Sequence, residues 1–474
     1  MPALNQFFKK LFASSSAAQD SDAFFENLRN QEYSILDEQG QTYLDFTGGN
    51  LYARSQVMEH QKLLLGNVLG NPHSTNPTSK KATELVEATR ARVLDFFRAG
   101  SDYTCIFTQN ASGAMKIVGE SYPFGNTSSM VLLSDNHNSV NGIREFCRKK
   151  GGRIEYVPVN FEDLQINENQ LDKQLRENAG GENSLFAMPG QSNVSGVKHS
   201  LSWIEKAQKL GYDVLLDAAA LVPSTRLDLS VWKPDFVSVS FYKIFGYPTG
   251  IGCLLVRNSV FHKLQKPWFA GGTVTLVSVV SQDRFLAGGH ERYEDGTINY
   301  NNIPAIKIGL DYIDGIGMER INARVSHLIQ YLTRGLKELR HSNGQPLVKI
   351  FGPEGFENRG GNIILNFFDP DGEKHGFEEI EEMANRENIS IRSGCFCNPG
   401  IDEINNCLTT EEISRYFTSR DQGNYYDMIR FLGKMRGATR ISVGIASTER
   451  DLDRFIRFTA SLKEKKAGRL SMAA

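Results

Sequence analysis

Residues 213–243 read DVLLDAAALVPSTRLDLSVWKPDFVSVSFYK. Two short apolar runs, DVLLD and DFVSVS, end on polar residues, Asp217 and Ser240, and the second passes at once into Phe241, Tyr242 and Lys243. Short runs of this kind, without strict alternation, suit strands covered on both faces. Others stand on either side: YTCIF from Tyr103, MVLLS from Met130, RIEYVPV from Arg153, SLFAMP from Ser184 and GCLLV from Gly252. Between them lie stretches of helical period, such as KKATELVEATRARVLDFF, with Leu85, Val86, Val93, Phe96 and Phe97 on its apolar side. The alternation predicts an α/β fold around a mainly parallel sheet.

After NNIPAIKIGLDYIDGIG the texture changes. A charged helical segment, INARVSHLIQYLTRGLKELR, leads to the strand-like runs NIILNFF, ISIRS and ATRISVGI and to a final helix from about Thr448, which predicts a smaller α+β unit. The expected organisation is an N-terminal arm over 1–20, a segment over 21–60 packing with the small domain, a large α/β domain over 61–300, and a small domain over 301–474. In the arm, Phe7, Phe8, Leu11 and Phe12 suit one face of a short amphipathic turn. This reads as a packed or frayed end rather than a membrane anchor, because stable anchoring takes a second signal.

The 474 residues carry 53 Lys and Arg against 55 Asp and Glu, a formal net charge of −2. No global basic field exists to hold a nucleic acid or an anionic membrane, so neither is expected as a partner. The start lacks the pattern of a secretory signal, and no apolar stretch is long enough to span a bilayer. Six cysteines, irregularly spaced apart from one C-x-C, are too few to staple such a chain, so a reducing, cytoplasmic setting is expected.

In an open α/β sheet, ligands sit beyond the carboxyl ends of the strands. Asp217 and Lys243, at two such ends, could meet over one ligand. Pyridoxal phosphate needs this pair of groups: an amine for its aldehyde, and a carboxylate to keep its ring nitrogen protonated. By spacing alone they are equally two solvated charges. In YTCIFTQNASGAMKIVGE, the turn at Ala111, Ser112 and Gly113 opens a helix, which suits either a phosphate or an ordinary serine cap. His137 follows the run MVLLS and could stack on a flat cofactor, or could be a polar loop residue. Cys395 and Cys397, in the loop SGCFCNPG, lack the further ligands a metal needs, so no metal is expected. They read as a nucleophilic thiol with Arg392 as electrostatic partner, or as inert loop thiols.

Taken together, NPHSTNPTS, SDNHNSVNGIREF, LLDAAALVPSTRLDLS, VSFYKIFGYPTGIGCLLVR, FAGGTV, ERYEDGTINY, IRSGCFCNPG and ATRISVGIAST resemble, in this order, motifs of the class V aminotransferase-like cysteine desulfurases. Within them the chain is most similar to the desulfurase domain of molybdenum cofactor sulfurases, from about Leu44 to Thr448. The resemblance implies the pyridoxal-phosphate-dependent transferase fold of the aspartate aminotransferase type, with the cofactor in the large domain. It implies that Lys243 attaches covalently to the cofactor, that Asp217 pairs with its ring nitrogen and that His137 stacks on the ring. Ala111, Ser112, Ser240 and, from the neighbouring chain of a homodimer, Thr297 would hold the phosphate. Asn193 would face the cofactor hydroxyl, Tyr242 stands where many desulfurases have histidine, Arg440 would bind the substrate carboxylate, and Cys397 would take the sulfur.

Departures from the pattern are Ala220, where bacterial desulfurases often carry glutamine; Phe46, where a histidine is usual; and Ile401-Asp402, where molybdenum cofactor sulfurases usually continue with Ala-Cys. The sequence also ends soon after its last helix, without a counterpart of the domain that receives molybdenum cofactor in fused sulfurases. The implied activity is transfer of sulfur from L-cysteine to a cysteine persulfide with release of alanine, the final acceptor, protein or cofactor, being left open. The alternatives are another class V enzyme (lyase, transaminase or epimerase) and a scaffold that keeps the fold without turnover.

Overall fold

A computed structural model describes residues 20–468 with the exception of Met435. The expected amphipathic turn at Phe7, Phe8, Leu11 and Phe12 lies outside the described residues.

Seven strands form the large sheet among the described residues: β1 (Tyr103–Thr108), β2 (Ser129–Leu133), β3 (Arg153–Val157), β4 (Ser184–Pro189), β5 (Tyr212–Asp217), β6 (Phe236–Ser240) and β7 (Gly252–Arg257). Their spatial order is β1-β7-β6-β5-β4-β2-β3. The pairs β2–β3, β2–β4, β4–β5 and β5–β6 are parallel, whereas β7 runs antiparallel to both β1 and β6. The mainly parallel sheet is present, and the run GCLLV supplies its reversed strand. Every residue of β2, β4 and β6 is buried, which is why these runs show no alternation. The helix Pro77–Phe96 starts where Asn76 accepts from Ser79 N–H and proline fills the first turn. Against it packs the helix Ile303–Ile316, which ends at Gly317 with φ 92°. That positive φ is cheap only for glycine and lets the chain turn into the next helix, Met318–Glu338.

A second, antiparallel sheet contains β8 (Val348–Phe351), β9 (Asn362–Phe367), β10 (Arg392–Gly394) and β11 (Ala438–Ser442), in the order β8-β9-β11-β10. The expected single strand ISIRS is split in two. Ile389–Ser390 pairs in parallel with Thr42–Tyr43, whereas Arg392–Gly394 turns to pair with β11, so one run serves two partners. An isolated bridge joins Asp45 to Ser442, which brings the N-terminal segment onto the second sheet. Thr448 caps the last helix, Glu449–Ala460, in a reciprocal box with Asp451. Among the described residues no helix is long and apolar enough to cross a membrane.

Candidate active site

The carboxyl ends of β1, β4, β5 and β6 meet at one cavity, the side of an open α/β sheet on which ligands bind. At the end of β1, Asn110 caps the helix Ala111–Ser121 by accepting from Gly113 N–H at 3.0 Å. Ala111 N–H donates to Ser240 Oγ at 2.9 Å, and Ser112 Oγ lies 2.6 Å from Ser139 Oγ. Ser112 N–H has no partner among the described residues. The turn therefore offers hydroxyls and an open N–H at a helix N-terminus, the donor set of a phosphate site. Gly252 makes this arrangement possible: a Cβ there would sit 2.4 Å from Val239 O and 2.7 Å from the Asn110 backbone.

Asp217, the last residue of β5, accepts through Oδ1 from Ala219 N–H at 3.0 Å and from Ser238 Oγ at 3.1 Å. Its second oxygen has no hydrogen-bond partner among the described residues and is free for a donor in the cavity. Lys243, in the short helical turn after β6, makes no side-chain hydrogen bond among the described residues, and burial pushes its amine below the ordinary value against the pull of Asp217. A buried, partnerless amine with depressed basicity is a nucleophile for a carbonyl. His137 Nδ1 accepts from Ser139 N–H at 3.1 Å, which leaves the ring proton on Nε2. Burial lowers the imidazole below its usual value, so the ring is a neutral, flat surface.

On the far wall, Arg440 of β11 donates to Asn193 O at 2.8 Å and to Asp45 Oδ1 at 2.7 Å, and its guanidinium lies 5.1 Å from the Phe396 ring centre. Arg440 Nε is buried and has no partner. Arg392 Nε donates to the other oxygen of Asp45 at 3.0 Å, so the expected Arg392–thiol pairing is replaced: the guanidinium is committed to a carboxylate. Cys397 is exposed, whereas Cys395 is half-buried and burial raises its thiol pKa. Asn138 N–H donates to Cys397 O at 2.8 Å, which sets the cysteine loop beside the His137 turn.

Of the residues singled out in the sequence, Ala111, Ser112, His137, Asn193, Asp217, Ser240, Tyr242 and Lys243 line the cavity together. Arg440 and Cys397 stand at its edge through Asn193 and Asn138. Thr297 is not in this chain's cavity; it is exposed and accepts from Asn71 Nδ2 at 3.3 Å. The Asn193 side chain is spent on the cysteine loop, donating to Phe396 O at 2.8 Å and accepting from Asn398 Nδ2 at 3.1 Å. Sequence reasoning missed Gln191, Ser139 and Asp45. Asp45 precedes Phe46 in LDFTGGN, and the departure at Phe46 drew attention away from it. Phe46 itself is buried over Gly444, where a Cβ would lie 2.2 Å from its ring. The departure at Asp402 is structural too: buried, it accepts from Gly437 N–H at 3.0 Å and Tyr425 Oη at 2.9 Å and pairs with Arg436.

The family profile for Aminotransferase class-V matches residues 42–455. The chain belongs to the class-V aminotransferase family. Among class-V relatives, the molybdenum cofactor sulfurase of Bos taurus is 38% identical over 456 residues, covering 91% of this chain and 51% of the relative. That of Homo sapiens is 36% identical over 471 residues, covering 93% and 52%. The chain thus spans about half the length of these curated relatives. Its fold is similar to the apo cysteine desulfurase from Thermococcus onnurineus NA1, with a TM-score of 0.75 at 23% identity, covering 92% of this chain and 97% of that one. The expected pyridoxal-phosphate-dependent transferase fold is therefore the observed one.

The cavity fits the cofactor of this class-V fold. Among the described residues it offers an amine without a partner at Lys243, a carboxylate oxygen without a partner at Asp217, a flat imidazole at His137, and an open Ser112 N–H beside the Ser112 and Ser240 hydroxyls. Among the described residues no group of three or more His, Cys, Asp or Glu is placed to hold a metal ion.

Proposed function

We propose that this chain is a pyridoxal-phosphate-dependent cysteine desulfurase of the molybdenum cofactor sulfurase kind, taking sulfur from L-cysteine onto Cys397 and releasing alanine. The observation that carries the reading is the docking of the Cys397 loop, by Asn138 N–H on Cys397 O at 2.8 Å, onto the wall that also presents His137, Asp217 and Lys243. A transaminase or lyase needs the wall but no thiol beside it.

Bound pyridoxal phosphate supplies an electron-withdrawing ring that stabilises negative charge at the substrate α-carbon. Lys243 would hold its aldehyde end until the substrate amine takes that place, Asp217 would accept the ring N–H, His137 would cover the ring face, and the Ala111–Ser112 turn with Ser240 would hold the phosphate. Tyr242 closes the lysine side, its ring 3.6 Å from the Cβ position of Gly49. Arg440 turns its free Nε–H, and the donor it shares with Asp45, to the substrate carboxylate. Lys243 Nζ, its basicity lowered by burial, would take the proton from the substrate Cα once the substrate amine has freed it. The Cys397 thiolate attacks the substrate sulfur; the new S–S bond forms as the substrate Cβ–S bond breaks, and a proton at Cβ completes alanine. No external oxidant is needed, since the carbon gains the electrons that the sulfur loses.

A homodimer is part of the reading. The hairpin over residues 274–286 exposes Leu276, Val277, Val279, Val280 and Phe285, with Val279 and Val280 more than nine-tenths accessible. This apolar surface and the exposed Thr297 support a second copy that lends Thr297 to the phosphate site. The reading keeps a large cofactor-binding unit over 61–300 and a small unit over 301–474, supported by the seven-stranded sheet lying within the first range and the four-stranded sheet within the second. The absence of any disulfide among the described cysteines agrees with a cytoplasmic setting. The acceptor of the persulfide sulfur, a protein or a cofactor, is left open.

The test is a product assay of the cofactor-loaded protein with L-cysteine and a reductant. Alanine and sulfide in equal amounts are expected. Pyruvate with ammonia would give the lyase, a keto acid the transaminase, and no product the scaffold.

A further inference from the structure

Phe396 and Cys397 both adopt positive φ, 57° and 54°, a region unfavourable for residues with a Cβ. Two such residues in succession persist only where the surroundings over-determine them. Those surroundings converge on the next residue. Asn398 is fully buried, its N–H donates to Cys395 O at 3.0 Å, and its Oδ1 caps the helix Pro399–Asn405 through Ile401 N–H at 3.3 Å. Its amide nitrogen donates to Asp135 Oδ1 at 2.8 Å and to Asn193 Oδ1 at 3.1 Å. Asp135 is a rigid anchor: fully buried, it also receives Ser192 Oγ at 2.8 Å on the same oxygen and faces His199 Nε2 at 3.1 Å with the other. The approach is close enough that a Cβ on Gly400 would lie 2.1 Å from Ser134 O.

We infer that Asn398 is the positioning residue of sulfur transfer, a latch that fixes the Cys397 loop to Asp135 at the end of β2; the inference rests on the reading of Cys397 as the sulfur-accepting thiol. Asn398 adjoins Cys397 in the chain, so it sets the Cys397 Cα to within one residue, about 3.8 Å. Asp135 lies two residues before His137, so the latch registers the thiol loop directly to the wall that covers the cofactor. A transfer needing its reacting atoms about 3 to 3.5 Å apart loses rate steeply with small misplacement. A helix cap alone would require only the Asn398 oxygen; the three bonds made by its amide nitrogen, to Asp135 Oδ1, to Asp135 O at 3.4 Å and to Asn193 Oδ1, hold the loop.

Three changes separate latch from cap in the full chain. Asn398→Ser keeps a capping oxygen but cannot reach Asp135, Asn398→Asp keeps the cap and sets a carboxylate against Asp135, and Asp135→Asn combined with Asn398→Asp exchanges donor and acceptor. Hydrogen exchange, followed by mass spectrometry with and without cofactor, reads the peptide covering 392–400. Single-turnover alanine formation from L-cysteine reads the transfer. Both single variants are expected to exchange faster over 392–400 with Tyr212–Asp217 unchanged, and to form alanine about a hundredfold more slowly. KM for L-cysteine should stay near wild type, and the exchanged pair should regain part of the rate. Wild-type exchange and wild-type rate in Asn398→Ser and Asn398→Asp would overturn the latch. If the wild-type protein itself forms no alanine, the desulfurase reading falls, and the exchange arm still decides: faster exchange over 392–400 supports the latch and unchanged exchange overturns it.

Discussion

Arg440 and Asp45 lie 395 residues apart in the chain and meet at 2.7 Å as a buried ion pair. Asp45 also receives Arg392 at 3.0 Å, so a single carboxylate holds two guanidiniums at the mouth of the candidate site. Under the proposed function, Asp45 is the counter-charge of the arginine that would take the substrate carboxylate. Asp45→Ala leaves Arg440 buried without its counter-charge, which costs about 3 kcal/mol or more. Denaturant midpoints should show that loss. Added L-alanine, bringing a carboxylate of its own, should stabilise the variant more than it stabilises wild type.

Lys243→Ala should abolish covalent attachment of the cofactor, because the cavity is lined by no other lysine. Borohydride treatment followed by peptide mapping checks this. A tag on another lysine of the variant would refute the assignment.

The Lys243 amine carries a pH signature in the cofactor-free protein. Burial depresses its folded pKa below the unfolded value of about 10.4, so between the two the unfolded chain binds more protons. Stability should therefore rise with pH through that window and level off only above the unfolded pKa of about 10.4. Lys243→Met should flatten the slope and stabilise the cofactor-free protein on the acid side. Denaturant titrations at a series of pH values give the slope directly.

Asp217→Ala should weaken cofactor retention and slow removal of the substrate α-proton, since an unprotonated ring nitrogen is a poor electron sink. Dialysis of the loaded variant and solvent deuterium exchange at the substrate Cα measure the two effects. Retention and exchange at wild-type levels would contradict the role.

Cys397→Ala should keep cofactor colour and bind L-cysteine yet yield no alanine in a single turnover, while Cys395→Ala remains active. Exposure favours Cys397, and the raised pKa of half-buried Cys395 leaves it little thiolate. After treatment with L-cysteine, mass spectrometry should find about +32 Da, one added sulfur, at Cys397. The same mass at Cys395 alone would move the weight to a lyase or transaminase.

The strands of the large sheet were legible because buried β-structure writes itself as short apolar runs. Asp217 and Lys243 stood out because they follow such runs directly. The ion pair of Asp45 was not legible, since its two arginines sit 347 and 395 residues away and no local pattern links them. The same distance hid the true partner of Arg392. The hairpin over 274–286 escaped because its strands, one short and one irregular at Phe285–Leu286, face outward and do not build a core. Asn398 was visible as part of a motif, but its bond to Asp135 exists only once the two sheets are in place.

Among the described residues strand β11 is the last in order, yet it is an inner member of its sheet, pairing with both β9 and β10. A polypeptide leaving the ribosome can assemble all seven strands of the large sheet long before Arg440 emerges. The arginine, and the carboxylate it meets near the beginning of the chain, can join only after the 395 residues that separate them have been made. A product terminated between β7 and β11 would thus carry the strands of the large sheet without the guanidinium that faces it from the second sheet.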